Sequence, residues 1–154
     1  MRSGRHAETE RTKPAARRRR ENDGGVAVVE FAIIAPVLVL LLFGIIEAGW
    51  AFAQQLEVRH GAREGARLAA VNEGSLDDIV AATCAQMDLS TSGATVSLAK
   101  SGPAVGDSAR VEVAAPVDSI TGLTGLVFGT TLTESVEMRI EQPPTWVDGT
   151  RPCP

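Results

Sequence analysis

The chain of 154 residues is poor in aromatic residues and contains none of the common catalytic motifs. Tyrosine is absent, and Phe and Trp together number six. There is no HExxH, Cys-x-x-Cys or GxSxG motif and no Gly-rich phosphate loop. His6 lies in a charged leader and His60 stands alone on a later helix, so we interpret both as solvated. We therefore expect no enzyme activity, no catalytic or metal-binding residues, no cofactor and no small-molecule substrate.

Charged residues are divided unevenly along the chain. The formal net charge is −4, but residues 1–25 hold eight Lys/Arg against four Asp/Glu, a local balance of +4. The remainder holds seven basic against fifteen acidic residues, a balance of −8. A basic leader before an apolar run is typical of membrane topology rather than of a nucleic-acid site. The acidic remainder disfavours phosphate-rich ligands, and we expect no nucleic-acid partner.

A long apolar run follows the leader. Residues 1–25 lack apolar periodicity and are predicted to be a disordered basic leader. Residues 31–46 carry no charge, and the apolar character continues to Ala53 with Glu47 as the further interruption. A helix over residues 26–53 would be ~42 Å long, which is enough to cross a bilayer once. We expect a single transmembrane helix there.

The basic residues on either side of this helix predict its orientation. Six Lys/Arg lie close before the helix and three close after it. They are Arg11, Lys13 and Arg17 to Arg20 before it, and Arg59, Arg63 and Arg67 after it. Because loops rich in Lys/Arg stay in the cytoplasm, we expect a single-pass protein of the cytoplasmic (inner) membrane with its N-terminus inside and its C-terminal part outside.

The remaining residues, 54–154, predict a small extracytoplasmic α+β domain. The pattern after Ala53 is an amphipathic helix whose apolar and small residues share one face. The residues of that face are Leu56, Val58, Gly61, Ala62, Gly65, Ala66, Ala69 and Ala70. Gly74 follows its end, and Ser75 with Asp77 and Asp78 predicts the start of a short helix that ends near Met87.

Three segments alternate apolar and polar residues, as strands do. They are residues 95–99, 109–114 and 132–140. The first two are predicted to form an antiparallel hairpin, and residues 120–129 a short helix or a loop packed over the sheet. The Pro-rich residues 143–154 are predicted to be extended. The fold class is therefore α+β, with a long helix, a short helix and an antiparallel sheet of about three strands.

The two cysteines, Cys84 and Cys153, have two interpretations. If the C-terminal part lies outside the cytoplasm, they can form one disulfide that closes a long loop. Alternatively they are two unpaired thiols. The sequence does not fix their separation, and a disulfide needs Cα atoms within ~7 Å of each other.

Glu30 is the acidic residue inside the most apolar part of the chain. A carboxylate at the centre of a bilayer costs about 2.5–3.5 kcal/mol on insertion scales, so it needs a partner or a purpose. Gly25 has no side chain, which would let a protease approach the backbone closely. Cleavage after Gly25 would give Val26 a free amine, and in an assembly Glu30 of one subunit can pair with the Val26 amine of its neighbour.

Residues 25–31 resemble the processing motif of type IV prepilins and pseudopilins, in which Gly is followed by four residues, a Glu and an aromatic residue, here Phe31. The wider chain resembles the TadE-like proteins of tight-adherence (Flp) pilus systems, closely over residues 25–72 and loosely over 93–141. The segments that carry this resemblance are Val26-Ala27-Val28-Val29-Glu30-Phe31-Ala32, Pro36, Phe43-Gly44-Ile45-Ile46-Glu47-Ala48-Gly49, Ala62-Arg63-Glu64-Gly65-Ala66-Arg67 and Met138-Arg139-Ile140-Glu141.

The resemblance implies a membrane protein that assists assembly of an adhesive pilus. It would be processed between Gly25 and Val26 by a prepilin peptidase, with Glu30 and Phe31 as assembly contacts and the lipid bilayer and other pilus assembly subunits as partners. Its sizeable C-terminal part favours a minor pilin or pseudopilin over the main fibre subunit. Two alternatives are an extracytoplasmic binding domain on a passive helix tether, and a secreted protein cleaved after Ala53.

Overall fold

Two helices and four strands make up the described part of the chain. The helices are α1, Ala16–Ala70, and α2, Leu76–Cys84. The strands are β1, Thr95–Lys100, β2, Ser108–Pro116, β3, Thr131–Arg139, and β4, Gly149–Pro152. The structure, a computed structural model, describes residues 16–88, 92–122 and 129–154, with side chains from residue 24 onward. The chain divides into two compact units, Met1–Leu41 and Leu42–Pro154.

In the first unit, the described residues are all helical. The helix begins at Ala16, ahead of the predicted start at Val26, because the Ala, Arg and Glu residues of this stretch have favourable helix propensity. Residues 1–15 of the predicted leader lie outside the described residues. From residue 24 to residue 41 every side chain is exposed except that of Ala35, which is half-buried.

The second unit contains a four-stranded antiparallel sheet in the order β3-β2-β1-β4. The predicted hairpin is β1 paired with β2, with Val96 opposite Val113 and Leu98 opposite Val111. The third predicted strand is β3, which pairs with β2 along its whole length. The α+β prediction is thus confirmed, with one strand more than expected, because β4 in the Pro-rich tail pairs with β1.

One face of this sheet forms the core together with α2 and the C-terminal part of α1. Strand residues alternate between buried and exposed, so the apolar residues of β1 and β2 share that face. The largest buried side chains of the sheet are Val96, Leu98, Val111 and Val113. Polar residues such as Arg110 and Glu112 occupy the opposite, exposed face.

The predicted stop and start between the two helices are both present. Asn72 has φ of 54°, the Glu73 N–H donates to Leu68 O and the Asn72 N–H donates to Ala69 O, which is a Schellman ending of α1. Ser75 then accepts from the Asp78 N–H while the Asp78 carboxylate accepts from the Ser75 N–H, a capping box. The short helix ends at Cys84 instead of near Met87, because the N–H groups of Gln86 and Met87 bond three residues back, to Thr83 O and Cys84 O.

One detail of the sequence interpretation is wrong, and another concerns residues that the structure describes only in part. Leu56 was expected on the buried face of the amphipathic helix but is exposed, whereas the polar Gln54 is fully buried there. The connection predicted to be a short helix or a loop over the sheet lies partly outside the described residues, which stop at residue 122 and resume at residue 129.

Candidate functional site

The residues predicted for processing and assembly all lie in the first unit, on α1. Val26 and Phe31 are 58% and 67% exposed. A Cβ added to Gly25 would meet no heavy atom within 4 Å, so the backbone there is open. Glu30 is exposed too, and no ion pair of its carboxylate occurs within the described residues. Nothing in this arrangement tests cleavage, and the roles of these four residues stay predictions.

Among the described residues, α1 is the one helix that is long and apolar enough to cross a membrane. The large apolar side chains of residues 26–46 are exposed. A helix that exposes apolar residues all round has no face to bury in a soluble core and suits lipid instead. The length and composition of α1 are therefore consistent with a single-pass membrane protein.

Glu47 ends this exposed apolar stretch, and the sequence interpretation missed its role. The side chain is 2% exposed, although it follows four exposed apolar residues within the second unit. Its carboxylate accepts hydrogen bonds from the Ser119 hydroxyl and, at 3.0 Å, from the Thr121 N–H. Ser119 Oγ in turn accepts from the Gly122 N–H at 2.6 Å. A buried carboxylate is tolerable when its oxygens are hydrogen-bonded in this way.

Gln54 makes a second connection to the same segment, two helical turns after Glu47. Its amide nitrogen donates to Asp118 O at 2.9 Å, and its amide oxygen accepts from the Asp118 N–H at 2.8 Å. Both polar atoms of a fully buried side chain are thereby satisfied. The Val117 N–H donates to Thr130 O at 3.1 Å, which closes the base of the connection between β2 and β3.

We call residues 117–122 the strap. It runs antiparallel to α1, because Asp118 bonds to Gln54 while Thr121 bonds to the earlier residue Glu47. Two signals in the sequence hint at it, namely a second carboxylate in an apolar run and a polar residue seven positions later on the same helix face. The partners of these residues lie 64 to 74 positions away, so the sequence alone cannot identify them.

A third connection joins α1 to the edge strand β3. Gln55 Nε2 donates to Glu134 at 3.0 Å, and the Arg59 guanidinium lies 3.1 Å from the same carboxylate oxygen. Burial of Glu134 alone would raise its pKa, but the hydrogen bonds from Gln55 and Arg59 and the positive charges of Arg59 and Arg63 outweigh it. The pKa of Glu134 is therefore lowered, and the carboxylate stays ionised.

Small residues let α1 approach α2 and the sheet closely. A Cβ on Gly65 would overlap the Thr83 hydroxyl and lie 3.1 Å from Val111 Cγ1. A Cβ on Gly61 would lie 2.9 Å from both Thr83 O and Met87 Cγ. Glycine at these two positions is therefore a packing requirement, and both glycines belong to the face of apolar and small residues described from the sequence. In contrast, a Cβ on Gly44 or Gly49 would meet nothing within 4 Å.

Several contacts fasten the C-terminal tail to the domain, and three of them involve large or charged side chains or a covalent bond. Cys84 and Cys153 form a disulfide with Cα atoms 5.7 Å apart. The Trp146 indole is buried and donates to Ala69 O at 2.9 Å, and Lys100 Nζ lies 4.4 Å from its ring centroid. Arg151 pairs with Asp77 at 3.0 Å, on the surface. These contacts explain why a Pro-rich tail supplies a fourth strand.

The parts of the chain that the structure describes hold no cluster of three or more His, Cys, Asp or Glu arranged for a metal ion. The polar groups that are brought together are Glu47, Gln54 and the strap on one hand, and Gln55, Arg59 and Glu134 on the other. Each set joins α1 to the rest of the second unit, and the polar groups of each set are hydrogen-bonded or ion-paired to one another. Chemically, these groups are suited to fixing structure.

Comparison with known proteins gives one match. The family model described as TadE-like protein matches residues 25–67, and this confirms the resemblance that the motifs in that segment predict. No curated protein and no solved structure matches the chain. The matched segment includes the exposed apolar residues of α1, the two residues that hold the strap, and the small residues of α1 up to Ala66. Together with the candidate membrane helix, it supports a Tad pilus-related membrane protein.

Proposed function

We propose that the chain is a minor pilin or pseudopilin of a tight-adherence (Flp) pilus, which assists assembly as a structural component and not as an enzyme. In this proposal α1 crosses the cytoplasmic membrane once, with the basic leader inside and the α+β domain outside. A prepilin peptidase removes residues 1–25, and the mature chain then contacts other pilus subunits through its helix.

The observation that carries the proposal is the exposed Glu30 within an exposed apolar helix segment that matches TadE-like proteins. A helix that served only as an anchor would place an apolar residue at this position, because a lone carboxylate in lipid is costly. A second helix beside α1 lowers the cost of placing Glu30 in lipid, because a cation from the neighbouring subunit can pair with the carboxylate.

The Val26 amine is the cation we assign to this role. Cleavage after Gly25 creates it four positions before Glu30 on the same exposed helix. Each group is expensive to bury alone, and the pair formed between two subunits offsets part of both desolvation costs. Glu30 therefore disfavours the isolated helix in lipid and favours the assembled one. Phe31, also exposed, adds apolar area at the same contact.

The domain itself argues against cleavage after Ala53. Such a cut would separate Glu47 from the strap and would remove Ala51, which is 3% exposed. It would also leave the buried Gln54 as the new N-terminal residue. A secreted product would thus lose part of the interior of its domain. The passive tether remains a competing function, and it is the one that an assembly experiment must exclude.

Substitution of Glu30 tests the proposal directly. The test uses a pilus-forming strain in which the substituted chain replaces the parent chain. We expect Glu30→Leu to remain in the membrane fraction and to lower the number of pili at least about tenfold. This decrease corresponds to about 1.4 kcal/mol in one assembly contact. Val29→Leu, at the neighbouring exposed position, is the matched control and should assemble normally. Pili are counted by electron microscopy.

The mass of the membrane-bound chain is measured in the same strains by mass spectrometry. A mature N-terminus at Val26 in both variants shows that any loss of pili comes from the missing carboxylate and not from failed processing. Normal pilus numbers with Glu30→Leu would instead support the passive tether. Retention of residues 1–25 in the functional protein would remove the peptidase and the Val26 amine from the proposal.

A further inference from the structure

The strap carries an exposed apolar residue at the level of Glu47. Ile120 is 57% exposed and lies between Ser119 and Thr121, the two residues that bind the Glu47 carboxylate. Leu42, Phe43, Ile45 and Ile46, which directly precede Glu47 on α1, are exposed as well. The strap therefore places an exposed isoleucine beside the end of the exposed apolar stretch of the helix.

Within the described residues, neither residues 42–53 of α1 nor residues 119–122 of the strap expose a charged side chain. After Glu47, the next charged residue on α1 is Glu57, nearly three turns later, and the strap carries no charge after Asp118. The negative charge of Glu47 is itself covered by the strap. Asp118, the charged residue of the strap, lies at the Gln54 level, which is about 10 Å further along α1.

Two aromatic residues lie in the part of α1 between Glu47 and Gln54, where the helix carries no other charge. Trp50 is half-buried and Phe52 is 57% exposed. Trp is enriched where a membrane protein passes through the headgroup region, because its ring is apolar and its N–H is polar. The headgroup region adds about 5–8 Å to each side of the hydrocarbon layer, or roughly four to five helical residues, which matches the distance from Glu47 to Phe52.

We propose that the strap rests in the outer headgroup region of the bilayer, with Ile120 inserted at the depth of Trp50 and Phe52, so that the domain contacts lipid at a second point besides the spanning helix. This inference rests on the membrane orientation in the proposed function. The strap performs two tasks at once, since its polar groups bind Glu47 and its apolar side chain faces lipid. A bilayer is the occupant that fits, because these described parts of α1 and the strap expose no charged side chain and continue the exposed apolar stretch of α1.

Fluorescence quenching by brominated lipids measures this insertion. The full-length chain is reconstituted in vesicles of phosphatidylcholine and phosphatidylglycerol that carry bromine either near the headgroups or near the bilayer centre. In a Trp50→Phe background, Ile120→Trp introduces a reporter on the strap. We expect it to lose fluorescence strongly with shallow bromine and weakly with deep bromine, and to resist a water-soluble quencher.

Two matched variants in the same background supply the controls. Val105→Trp reports on the hairpin turn between β1 and β2, where the native valine is as exposed as Ile120 but the neighbouring Gly106 N–H bonds to Ile140 O, near the Ala70 end of α1. It should be quenched from water and not from lipid. Phe43→Trp reports on insertion of the helix and should be quenched by deep bromine. Trp146 is buried in all variants and contributes a constant background.

The outcomes separate the two proposals. If Phe43→Trp is quenched by lipid while Ile120→Trp is quenched only from water, the chain spans the bilayer and the strap inference is wrong. If Phe43→Trp is not quenched by lipid either, the membrane orientation of the proposed function fails with it. Shallow quenching of both Ile120→Trp and Val105→Trp would also overturn the inference, because it would show non-specific adsorption of the domain.

Discussion

Two stretches of one helix, residues 26–46 and residues 54–70 of α1, use opposite kinds of side chain. The first consists of large apolar residues that are exposed, such as Leu40 and Ile45. The second buries small residues, chiefly alanine and glycine, against α2 and the sheet. The glycines follow the same division, because a Cβ added at Gly44 would meet nothing within 4 Å while one at Gly65 would overlap the Thr83 hydroxyl.

The contrast shows that the surroundings of a helix decide which residues stabilise it. In lipid, large apolar side chains are favourable wherever they point, and no core is needed. Within the domain, stability comes from close approach, which requires small residues on the helix and large ones on the sheet. Changes that damage the domain should therefore leave membrane insertion intact, and the predictions that follow test this separation.

The largest effect is expected from loss of the disulfide. Replacing both Cys84 and Cys153 with serine opens a loop with a sequence separation of 69 residues. A disulfide that closes a loop of this length contributes about 2–5 kcal/mol to stability. The domain of the double variant should therefore unfold at a markedly lower urea concentration, as measured by Trp146 fluorescence in detergent. The double variant should still resist carbonate extraction from membranes.

Reduction of the unmodified chain provides the control for this change. A reducing agent should shift its gel mobility and lower its stability to that of the double variant, which itself should not respond. A chain whose stability and mobility ignore the reducing agent would show that the two cysteines are not bridged in the cell.

A smaller effect is expected when a side chain is added between α1 and α2. Gly65→Val forces a branched side chain into the space of the Thr83 hydroxyl and Val111. Overpacking of this kind costs about 1–3 kcal/mol, which urea unfolding measures. Gly49→Val is the matched control and should change the free energy of unfolding by less than about 0.5 kcal/mol. Equal effects at the two positions would mean that the contact with α2 does not limit the packing.

The smallest effect concerns the pH dependence contributed by Glu134. Its folded-state pKa is lowered, so its contribution to stability is present above the pKa of the unfolded chain and is lost as the pH falls through the folded-state value. Between about pH 5 and pH 3 the parent should therefore lose up to about 1 kcal/mol more than Glu134→Gln does. Unfolding curves at a series of pH values measure this difference.

Arg59 supplies the control for the pH experiment. In an Arg59→Gln background the same comparison should give a smaller difference, because one of the two hydrogen-bond partners of Glu134 is gone. If the difference is unchanged, the arginine does not stabilise the carboxylate. Membrane extraction of all these variants should match that of the parent.

Strands β1 to β3 and the junction between the two helices were predictable because their signals are local. The alternation in residues 132–140 and the Ser75 cap each depend on neighbours within a few positions. The strand β4 was not predictable in this way, because it contains Gly149 and Pro152, which disfavour strands. It forms because Trp146 and the disulfide hold the tail beside β1, and those contacts join distant parts of the chain.

The candidate site divides along the same line. The motif around Gly25 and Glu30 was recognisable, since its residues are consecutive, and the family match covers it. The roles of Glu47 and Gln54 were missed because a polar residue in an apolar helix has many possible partners. Leu56 was assigned to the buried face because it is apolar, although at 100° per residue it lies about 160° from the buried Val58, whereas Gln54 lies about 40° from it.

The spacing of Glu47 and Gln54 has a consequence for insertions and deletions. Seven residues bring the two side chains back to the same face after about two turns, at a separation of about 10 Å, which the strap spans between Asp118 and Thr121. Removing or adding one residue between them would rotate one side chain by about 100° relative to the other. The number of residues from 48 to 53 is therefore constrained independently of their identities, and that count is the quantity to inspect when related chains are aligned.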